Sequence, residues 1–261
     1  MPLLQPKIDI VITAKNEAFK LQTCCRELVK KVPINNLIIV VGESKDNTIE
    51  IANKYADIVI EDENKGIGYA RSLGLEKVET DYYASVDSDV ILSKDWYSWC
   101  KDTIQKPCVA ACEGYPKPLG ARYAKLQIID FRNPYCSLGN TMLKTDAIRE
   151  VGMPLNAFGE DHVLKKRLHS RGYKWVVNYD LLSIHLVSDM DMLRHYIAFG
   201  VSLGKNQNTS YWNLTKNVHW SLKEFASEAN NFGLNLSTYA LLLRLTKNLS
   251  ILYGKLERKR T

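Results

Sequence analysis

Two carboxylates stand close together at the end of a predicted strand. The turn Asp87-Ser88-Asp89 directly follows the apolar segment YYASV (82–86) and precedes Val90. Carboxylates this close repel each other unless a cation lies between them, and their oxygens are ligands that Mg²⁺ and Mn²⁺ prefer. Such ions commonly bridge the phosphates of a nucleotide. The turn therefore predicts a metal site that also binds phosphate, with a solvated Asp-rich turn as the alternative.

A second acidic pair, Glu160 and Asp161, lies where a helix is predicted to begin. Leu164 and Leu168 follow at a spacing that places both on one buried face of this helix. An aspartate in this position could serve as a general base. Acids in the first turn also complement the positive end of the helix dipole, typically by ~0.3–1 kcal/mol, and this structural role is compatible with catalysis.

Among the five histidines, His185 has the most informative position. It ends the apolar stretch LLSIH (181–185), whereas the other histidines lie in predicted helices. A neutral imidazole at a strand end could bind Mn²⁺ beside carboxylates. A histidine packed at the end of a strand is the alternative interpretation.

A fold must position these side chains, and the first half of the chain repeats one pattern. Short β-branched runs at residues 7–13, 36–41, 57–61 and 82–86 alternate with segments of helical period at 17–31, 47–55 and 66–78. This alternation is typical of a parallel sheet with helices on both faces, in which ligands bind beyond the carboxyl ends of the strands. The turns at those ends are Ala14-Lys15-Asn16-Glu17, Gly42-Glu43-Ser44, Asn64-Lys65-Gly66 and Asp87-Ser88-Asp89.

Two local features of these helices can be compared directly with a structure. Asn47 and Glu50 match a capping box, in which the Asn side chain accepts a hydrogen bond from an unpaired amide. The helical spacing in the first helix predicts one buried face made of Leu21, Cys24, Cys25, Leu28 and Val29.

The chain divides into two predicted parts. The alternation weakens after about Asp95 and gives way to helical patterns from Asp189, so we predict an α/β domain over residues 1–188 and a helical extension over 189–261. The apolar segment 239–253 contains Arg244 and Lys247 and is shorter than the ~20 residues that cross a bilayer. From about residue 237 we expect an amphipathic helix that docks on an anionic membrane or, alternatively, packs on the protein's own core.

Composition fits a folded protein with one large core and argues against a nucleic-acid partner. The 261 residues include 46% hydrophobic and 25% charged side chains. Five of the six net positive charges lie within residues 244–260, so the body of the chain is nearly neutral. A nucleic-acid binder usually has a basic stripe interleaved with aromatic residues on its folded body, and we find no such stripe.

The cysteines predict a reducing location. The six cysteines show no paired C-x-x-C spacing and no neighbouring histidine cluster, which argues against zinc. Cys108 and Cys112 lie on the same face of an apolar run and are expected to be buried, reduced thiols. Because no leader segment is visible, we expect the protein in the cytoplasm or at the cytoplasmic face of the membrane.

Five segments, taken in order, resemble the family 2 glycosyltransferases, whose nucleotide-binding domain has the fold called GT-A. They are IDIVITAKNE (8–17), IIVVGESKDNT (38–48), NKGIGYARSLGL (64–75), VDSDV (86–90) and GEDHVLKKRLHSRGY (159–173). The resemblance covers most of residues 8–185. It implies a GT-A-type, Rossmann-like fold with a mixed, mainly parallel sheet. It also implies an inverting, metal-dependent transfer of a sugar from a nucleotide-diphosphate donor to an acceptor hydroxyl.

The same resemblance implies roles for individual residues. Asp161 is the expected catalytic base, and Asp89 and His185 are the expected ligands of Mn²⁺ or Mg²⁺. The residues expected to border the nucleotide are Thr13, Asn16, Glu17, Glu43, Gly66, Arg71, Asp87 and Ser88. Among these, Glu43 is expected to reach the base.

The base of the donor and the acceptor stay open at this level. The family usually has two aspartates in a longer turn where this chain has Gly42-Glu43-Ser44-Lys45. A carboxylate at Glu43 could accept a hydrogen bond from uracil or from guanine, so we expect a UDP-sugar first and a GDP-sugar second. The expected acceptor is a growing glycan or a lipid-linked molecule.

Two other functions fit parts of this pattern. A nucleotidyltransferase also combines nucleotide, metal and an α/β sheet, but it usually has a Gly-rich basic loop after the first strand. This chain has Ala14-Lys15-Asn16-Glu17 there. The other alternative is a non-catalytic nucleotide-binding protein that acts at a membrane surface through its basic C-terminal helix.

Overall fold

The computed structural model describes residues 6–119, 136–155, 159–206 and 210–258. The chain falls into two compact units, one of Met1–Lys117 with Pro134–Leu186 and one of Pro118–Asn133 with Val187–Thr261. The predicted division into domains of residues 1–188 and 189–261 stays a prediction, because compactness alone does not establish independent folding.

A mixed sheet forms the centre of the first unit. Its strands are β1 (Ile8–Ala14), β2 (Ile34–Val41), β3 (Ile58–Glu61), β4 (Tyr82–Asp87), β5 (Val90–Ile91), β6 (Val109–Pro118), β7 (Asn140–Lys144) and β8 (Lys174–His185). They lie in the order β3-β2-β1-β4-β7-β6-β8-β5. The pairs β2–β3, β1–β2 and β1–β4 are parallel, whereas β4–β7, β6–β7 and β5–β8 are antiparallel. The predicted α/β class with a mixed sheet is confirmed, and its parallel part comes from the first half of the chain.

Helices flank this sheet and make up the described part of the second unit. The first unit contains α1 (Ala18–Lys31), α2 (Thr48–Tyr55), α3 (Ile67–Glu76), α4 (Trp96–Ile104), α5 (Thr145–Val151) and α6 (Glu160–Ser170). The second unit contains α7 (Asp189–Asn206), α8 (Tyr211–Phe232) and α9 (Leu234–Arg258). The predicted helical C-terminal region is therefore confirmed.

Side chains from both faces of the sheet form the core of the first unit. In β1, Ile10 and Ile12 pack in one cluster with Leu21 of α1, and Val11 packs in a second cluster. Strands that are buried on both faces usually consist of apolar runs, and β1 departs from this pattern only at the buried Asp9 and at Thr13. α3 lies so close to β1 that a Cβ atom at Gly74 would stand 2.3 Å from Cγ1 of Val11. This packing holds α3 against the middle of β1.

Two local predictions about the first helices are wrong. Val29 is exposed rather than buried, because it lies at the edge of the apolar stripe that Leu21 and Leu28 share. The side chain of Asn47 makes no capping hydrogen bond. Asp46 caps α2 instead, since its Oδ1 accepts a hydrogen bond from the first backbone amide of that helix at 3.1 Å.

The prediction that Cys108 is buried is also wrong. Cys108 is exposed and has a left-handed φ of 64° in the turn before β6, whereas the other five cysteines are buried. A turn residue does not follow the alternation of the strand, so its spacing from Cys112 carried no information about burial. All six thiols are free.

In the second unit, α9 packs along α7 and α8. α7 and α9 approach so closely that a Cβ atom at Gly204 would lie 2.2 Å from a backbone oxygen of α9. Nη1 of Arg244 lies 3.1 Å from Oε2 of Glu228, and Nζ of Lys247 lies 4.8 Å from the centre of the Phe199 ring. One face of α9 is thus engaged within the protein. Among the described helices, none is both long and apolar enough to cross a membrane.

Candidate active site

The turns that follow β1 and β2 are hydrogen-bonded to each other. The backbone amide of Asn16 donates to Oγ of Ser44 at 3.0 Å, and the amide of Lys45 donates to Oδ1 of Asn16 at 2.7 Å. Asn16 has a left-handed φ of 53°, which Asn adopts more readily than most residues. The amide of Glu17 donates to Oγ1 of Thr48 at 2.9 Å. The two turns therefore form one surface at the carboxyl ends of their strands.

A cavity of about 210 Å³ opens beside these turns. Thr13 and Gly66 line it, together with Lys15, Asp62 and Asn64. Its walls come from the carboxyl ends of parallel strands and the start of α3, which is where sheets of this kind bind nucleotides. A larger cavity of about 350 Å³ lies near the amino end of β1 and is lined by none of the predicted site residues.

Glu43 is connected to this cavity through Asn64. Nδ2 of Asn64 donates to Oε2 of Glu43 at 3.1 Å, and Oδ1 of Asn64 accepts from Nζ of Lys15 at 2.8 Å. The carboxylate of Glu17 lies 3.2 Å from Nζ of Lys20, so this contact runs along α1. Lys15 and Asn64 lie in turns that the sequence indicated, but their contacts depend on the spacing of strand ends and were not predicted.

Arg71 joins the two acidic motifs. Its side chain is only 4% exposed, and its Nη2 lies 2.7 Å from Oδ1 of Asp87. Its Nη1 pairs with the carboxylate of Glu160 at the start of α6. Burial raises the pKa of Glu160, and the positive charge of Arg71 opposes that effect. Arg71 lies among the predicted site residues, and these two contacts connect the turn after β4 to the start of α6.

A glycine turn packs against the other side of Asp87. The carbonyl of Gly139 accepts a hydrogen bond from the amide of Asp87 at 3.0 Å. A Cβ atom at Gly139 would lie 2.1 Å from Oδ2 of Asp87, so a larger residue would displace the carboxylate. Ser88, which follows, is buried. Asp87 is therefore held in place by Arg71 and by the glycine turn.

The second carboxylate of this turn, Asp89, lies beside His185. Oδ1 of Asp89 and Nε2 of His185 are 3.3 Å apart, and the two side chains are 19% and 25% exposed. They meet because β5 and β8 pair antiparallel and place Val90 opposite His185. A carboxylate oxygen and an imidazole nitrogen at this separation suit Mn²⁺, and phosphate oxygens could fill other positions around the ion. The structure thus brings the two predicted metal ligands together.

Asp161 lies in the first turn of α6 and is partly exposed, whereas its neighbour Glu160 is buried. Oδ1 of Asp161 accepts a hydrogen bond from the amide of His162 at 2.7 Å. Leu164 and Leu168 anchor the helix and are fully buried, as predicted. Of the two adjacent acids, Asp161 is the one that a ligand can reach.

A buried acid that the sequence patterns did not single out, Glu113 of β6, supports the glycine turn. Its Oε2 accepts hydrogen bonds from the amide of Ser137 at 3.0 Å, from Oγ1 of Thr141 at 3.2 Å and from Nε1 of Trp175 at 2.7 Å. Its Oε1 has no hydrogen-bond partner among the described residues. Burial raises the pKa of Glu113 to about 8, against the opposing effect of these hydrogen bonds. Glu113 therefore holds both ends of the turn that contains Gly139.

We expect Glu113→Gln to flatten the pH dependence of stability. The unfolded chain releases the Glu113 proton near pH 4.5, whereas the folded protein keeps it up to about pH 8. Because the folded state binds more protons in this window, its free energy of unfolding falls as the pH rises, by at most about 5 kcal/mol from this group. Gln can accept the same hydrogen bonds without titrating. Urea unfolding across this pH window measures the difference between the two proteins.

Glu76→Gln is the matched control for this experiment, because Glu76 is an exposed residue of α3. Its pH profile should follow that of the unmodified protein. Parallel pH profiles of stability for the unmodified protein and Glu113→Gln would contradict a protonated Glu113. A constant difference between such parallel profiles would report lost packing.

Comparison with known sequences finds related proteins. The family model described as "Glycosyl transferase family 2" matches residues 9–153. The glycosyltransferase AglE of Haloferax volcanii is 26% identical over 204 residues, which cover 69% of this chain and 67% of that protein. EpsH of Bacillus subtilis, named as a glycosyltransferase, is 30% identical over 97 residues, which cover 35% of this chain and 28% of EpsH. The low-salt glycan biosynthesis hexosyltransferase Agl6 of Haloferax volcanii is 33% identical over 33% of this chain and 22% of Agl6. The matches to EpsH and to Agl6 each cover only about a quarter of the length of that relative.

Solved structures extend the comparison of the fold. The mannosyltransferase PcManGT from Pyrobaculum calidifontis, in complex with GDP-Man and Mn²⁺, has a TM-score of 0.64 at 12% identity, over 99% of this chain and 88% of its own. Glucosyl-3-phosphoglycerate synthase from Mycobacterium tuberculosis, in complex with Mn²⁺, UDP and phosphoglyceric acid, has a TM-score of 0.54 at 18% identity, over 72% of this chain and 73% of its own. At these identities the likeness establishes the fold, which is the GT-A fold implied by the sequence motifs.

Proposed function

This chain belongs to glycosyl transferase family 2, and on that premise we propose that it is an inverting, metal-dependent glycosyltransferase. The proposed donor is a nucleotide-diphosphate sugar, and the proposed acceptor group is a hydroxyl. The observation that carries the proposal is the pair of Arg71 contacts, which connect the turn Asp87-Ser88-Asp89 to the helix start that contains Asp161. These contacts support a site in which the proposed metal ligand Asp89 and the proposed base Asp161 act together.

The chemistry of such a donor assigns a task to each group. Its anomeric carbon is already activated by the diphosphate, so the protein must stabilise the leaving group and remove a proton. A divalent ion bound at Asp89 and His185 would supply charge stabilisation for the diphosphate. Asp161 accepts the proton of the acceptor hydroxyl as that oxygen attacks from the face opposite the leaving group. Attack from that face inverts the anomeric carbon, and no covalent nucleophile is needed.

Glu43 is the residue we propose to read the base of the donor. Asn64 holds one oxygen of its carboxylate at 3.1 Å beside the cavity that Thr13 and Gly66 line. A carboxylate there could accept the imide N–H of uracil or the N–H groups of guanine. We propose a UDP-sugar first and a GDP-sugar second. The two solved relatives described above contain UDP in one case and GDP-Man in the other.

A panel of UDP- and GDP-sugars, incubated with the protein and Mn²⁺, tests the proposed reaction. A glycosyltransferase should slowly release the nucleoside diphosphate even without its acceptor, because water can replace the hydroxyl. A nucleotidyltransferase would instead consume nucleoside triphosphate and release pyrophosphate. Binding without release of any product would support a non-catalytic nucleotide-binding protein and would contradict the proposal.

For the acceptor, we propose a lipid-linked molecule or a growing glycan at the cytoplasmic face of a membrane. The support lies on the outer face of α9, where Leu242, Leu249 and Leu256 recur every seven residues and are 50%, 67% and 48% exposed. An exposed apolar stripe on a helix can insert into the boundary between lipid headgroups and acyl chains. Arg244 and Lys247 contact other residues of the second unit. The proposal therefore rests mainly on the exposed apolar stripe and less on those two charges.

We expect the double variant Leu242→Gln, Leu249→Gln to lose binding to anionic liposomes, since both substitutions remove apolar surface without touching the packed face of α9. Co-sedimentation with phosphatidylserine vesicles at low salt measures the loss. Leu222→Gln, at a 52% exposed position of α8, is the control. If the unmodified protein stays in the supernatant, or if the control loses binding equally, membrane docking through α9 is wrong.

A further inference from the structure

Three different metal-binding side chains converge at the start of α6. The ligand atoms of Cys136, Asp161 and His162 all lie within 4.8 Å of one another. Sγ of Cys136 is 3.1 Å from Nδ1 of His162. Cys136 is separated from the other two along the chain, so no short spacing motif reveals the cluster. The absence of paired cysteine spacing, which argued against zinc, therefore does not exclude a site of this kind.

The donor atoms of this cluster select a different metal from the one expected at Asp89 and His185. A thiolate is a soft ligand that favours Zn²⁺, whereas carboxylate and phosphate oxygens favour Mg²⁺ and Mn²⁺. Zn²⁺ binds sulfur at about 2.3 Å and imidazole nitrogen at about 2.0–2.1 Å, so ligand atoms a few ångströms apart can reach one ion. Three protein ligands would leave a fourth position for water, as in open zinc sites.

Solvent reaches this cluster from one side. His162 is exposed and Asp161 partly exposed, while Cys136 is buried, so an ion can enter from the side of His162. Burial raises the pKa of the Cys136 thiol to about 12, and the neighbouring charge of Asp161 adds to the effect.

We propose that Cys136, Asp161 and His162 form a second metal site that takes Zn²⁺, and that Zn²⁺ bound there inhibits sugar transfer. Inhibition follows because the ion occupies the carboxylate of Asp161, which then cannot accept a proton. The inhibitory half rests on the proposed function of Asp161 as the base. The binding half rests only on the cluster.

Co²⁺ can replace Zn²⁺ as a spectroscopic probe and tests the binding half without donor or acceptor. Titration of the full-length protein should produce a thiolate-to-Co²⁺ charge-transfer band in the near ultraviolet, and Zn²⁺ should displace it. Cys136→Ser should abolish the band, and His162→Ala should weaken Co²⁺ affinity at least ~10–100-fold, the loss seen even for groups that only support a metal ligand. Cys108→Ser, which removes the exposed cysteine, is the matched control and should keep the band. A band that survives Cys136→Ser would overturn the site.

Zn²⁺ inhibition is then measured for each variant relative to its own rate without Zn²⁺. The unmodified protein and Cys108→Ser should be inhibited at the same Zn²⁺ concentration, whereas Cys136→Ser and His162→Ala should need at least ~10-fold more. Equal inhibition of all four proteins would show that Zn²⁺ acts by displacing the ion at Asp89 and would overturn the inhibitory half. The Co²⁺ spectrum needs no turnover, so it distinguishes a failed site from a failed proposal of sugar transfer.

Discussion

Asp161→Asn is expected to slow sugar transfer by about 10²–10⁴-fold, which is what a positioned general base typically contributes. Asn keeps the size of the side chain and can still accept a hydrogen bond from the amide of His162, but it cannot take up a proton. Binding of nucleotide and Mn²⁺ should change little, because those contacts are assigned to Glu43, Asp89 and His185. Single-turnover rates with a saturating donor, together with calorimetry of nucleotide binding, measure the two effects separately.

The matched control for Asp161→Asn must report helix-dipole effects without disturbing the site. The adjacent Glu160 is unsuitable, because it is buried and paired with Arg71, so removing its charge would leave that guanidinium with one partner fewer. Asp146 is a better choice, since it is an exposed acid in the first turn of α5. Asp146→Asn should cost under about 1 kcal/mol of stability and leave transfer intact. Near-normal transfer by Asp161→Asn would make Asp161 a structural residue of the helix start.

The parallel half of the fold could be predicted because its central strands contain buried β-branched runs. These runs are residues 10–13 in β1 and 38–41 in β2, and each strand is followed by a turn and a helix that covers the sheet. The antiparallel half could not be predicted in the same way. β8 has an irregular succession of buried and exposed residues, and β5 contains only two residues, whose pairing with the end of β8 is set by contacts far apart in sequence.

In the candidate site, too, part could be predicted from the sequence and part could not: the sequence indicated the residues but not their contacts. The rule that ligands bind at the carboxyl ends of parallel strands located the turns that contain Asn16, Glu43 and Asp89. It could not predict that Arg71 is buried between two carboxylates, because the partners of a buried charge depend on the packed structure. Glu113 had one usable signal, an acid inside the apolar run VAACEGY (109–115). A buried acid needs hydrogen-bond partners, but the sequence does not say which groups supply them.

Nucleotide binding is expected to depend on a divalent cation held by Asp89. Arg71 and the glycine turn hold Asp87, so Asp89, beside His185, is the carboxylate of that turn that is left to bind the ion. Asp89→Ala should weaken the binding of UDP in the presence of Mn²⁺ at least ~10–100-fold, since even groups that only support a metal ligand contribute that much. Sugar transfer should be lost with it. Calorimetric titration of UDP and of GDP, each with Mn²⁺ or with EDTA, measures the affinities.

The losses of nucleotide affinity caused by Asp89→Ala and by chelation of the metal should not add, because both remove the same interaction. In EDTA, the unmodified protein and Asp89→Ala should therefore bind the nucleotide equally weakly. Asp102→Ala, which removes an exposed carboxylate from α4, controls for the change in net charge and should behave like the unmodified protein. An unmodified protein that binds UDP and GDP as tightly in EDTA as in Mn²⁺ would contradict a metal-dependent donor site. A substitution that weakens binding by the same factor with and without Mn²⁺ would mean that Asp89 contacts the nucleotide, or supports the fold, without a metal.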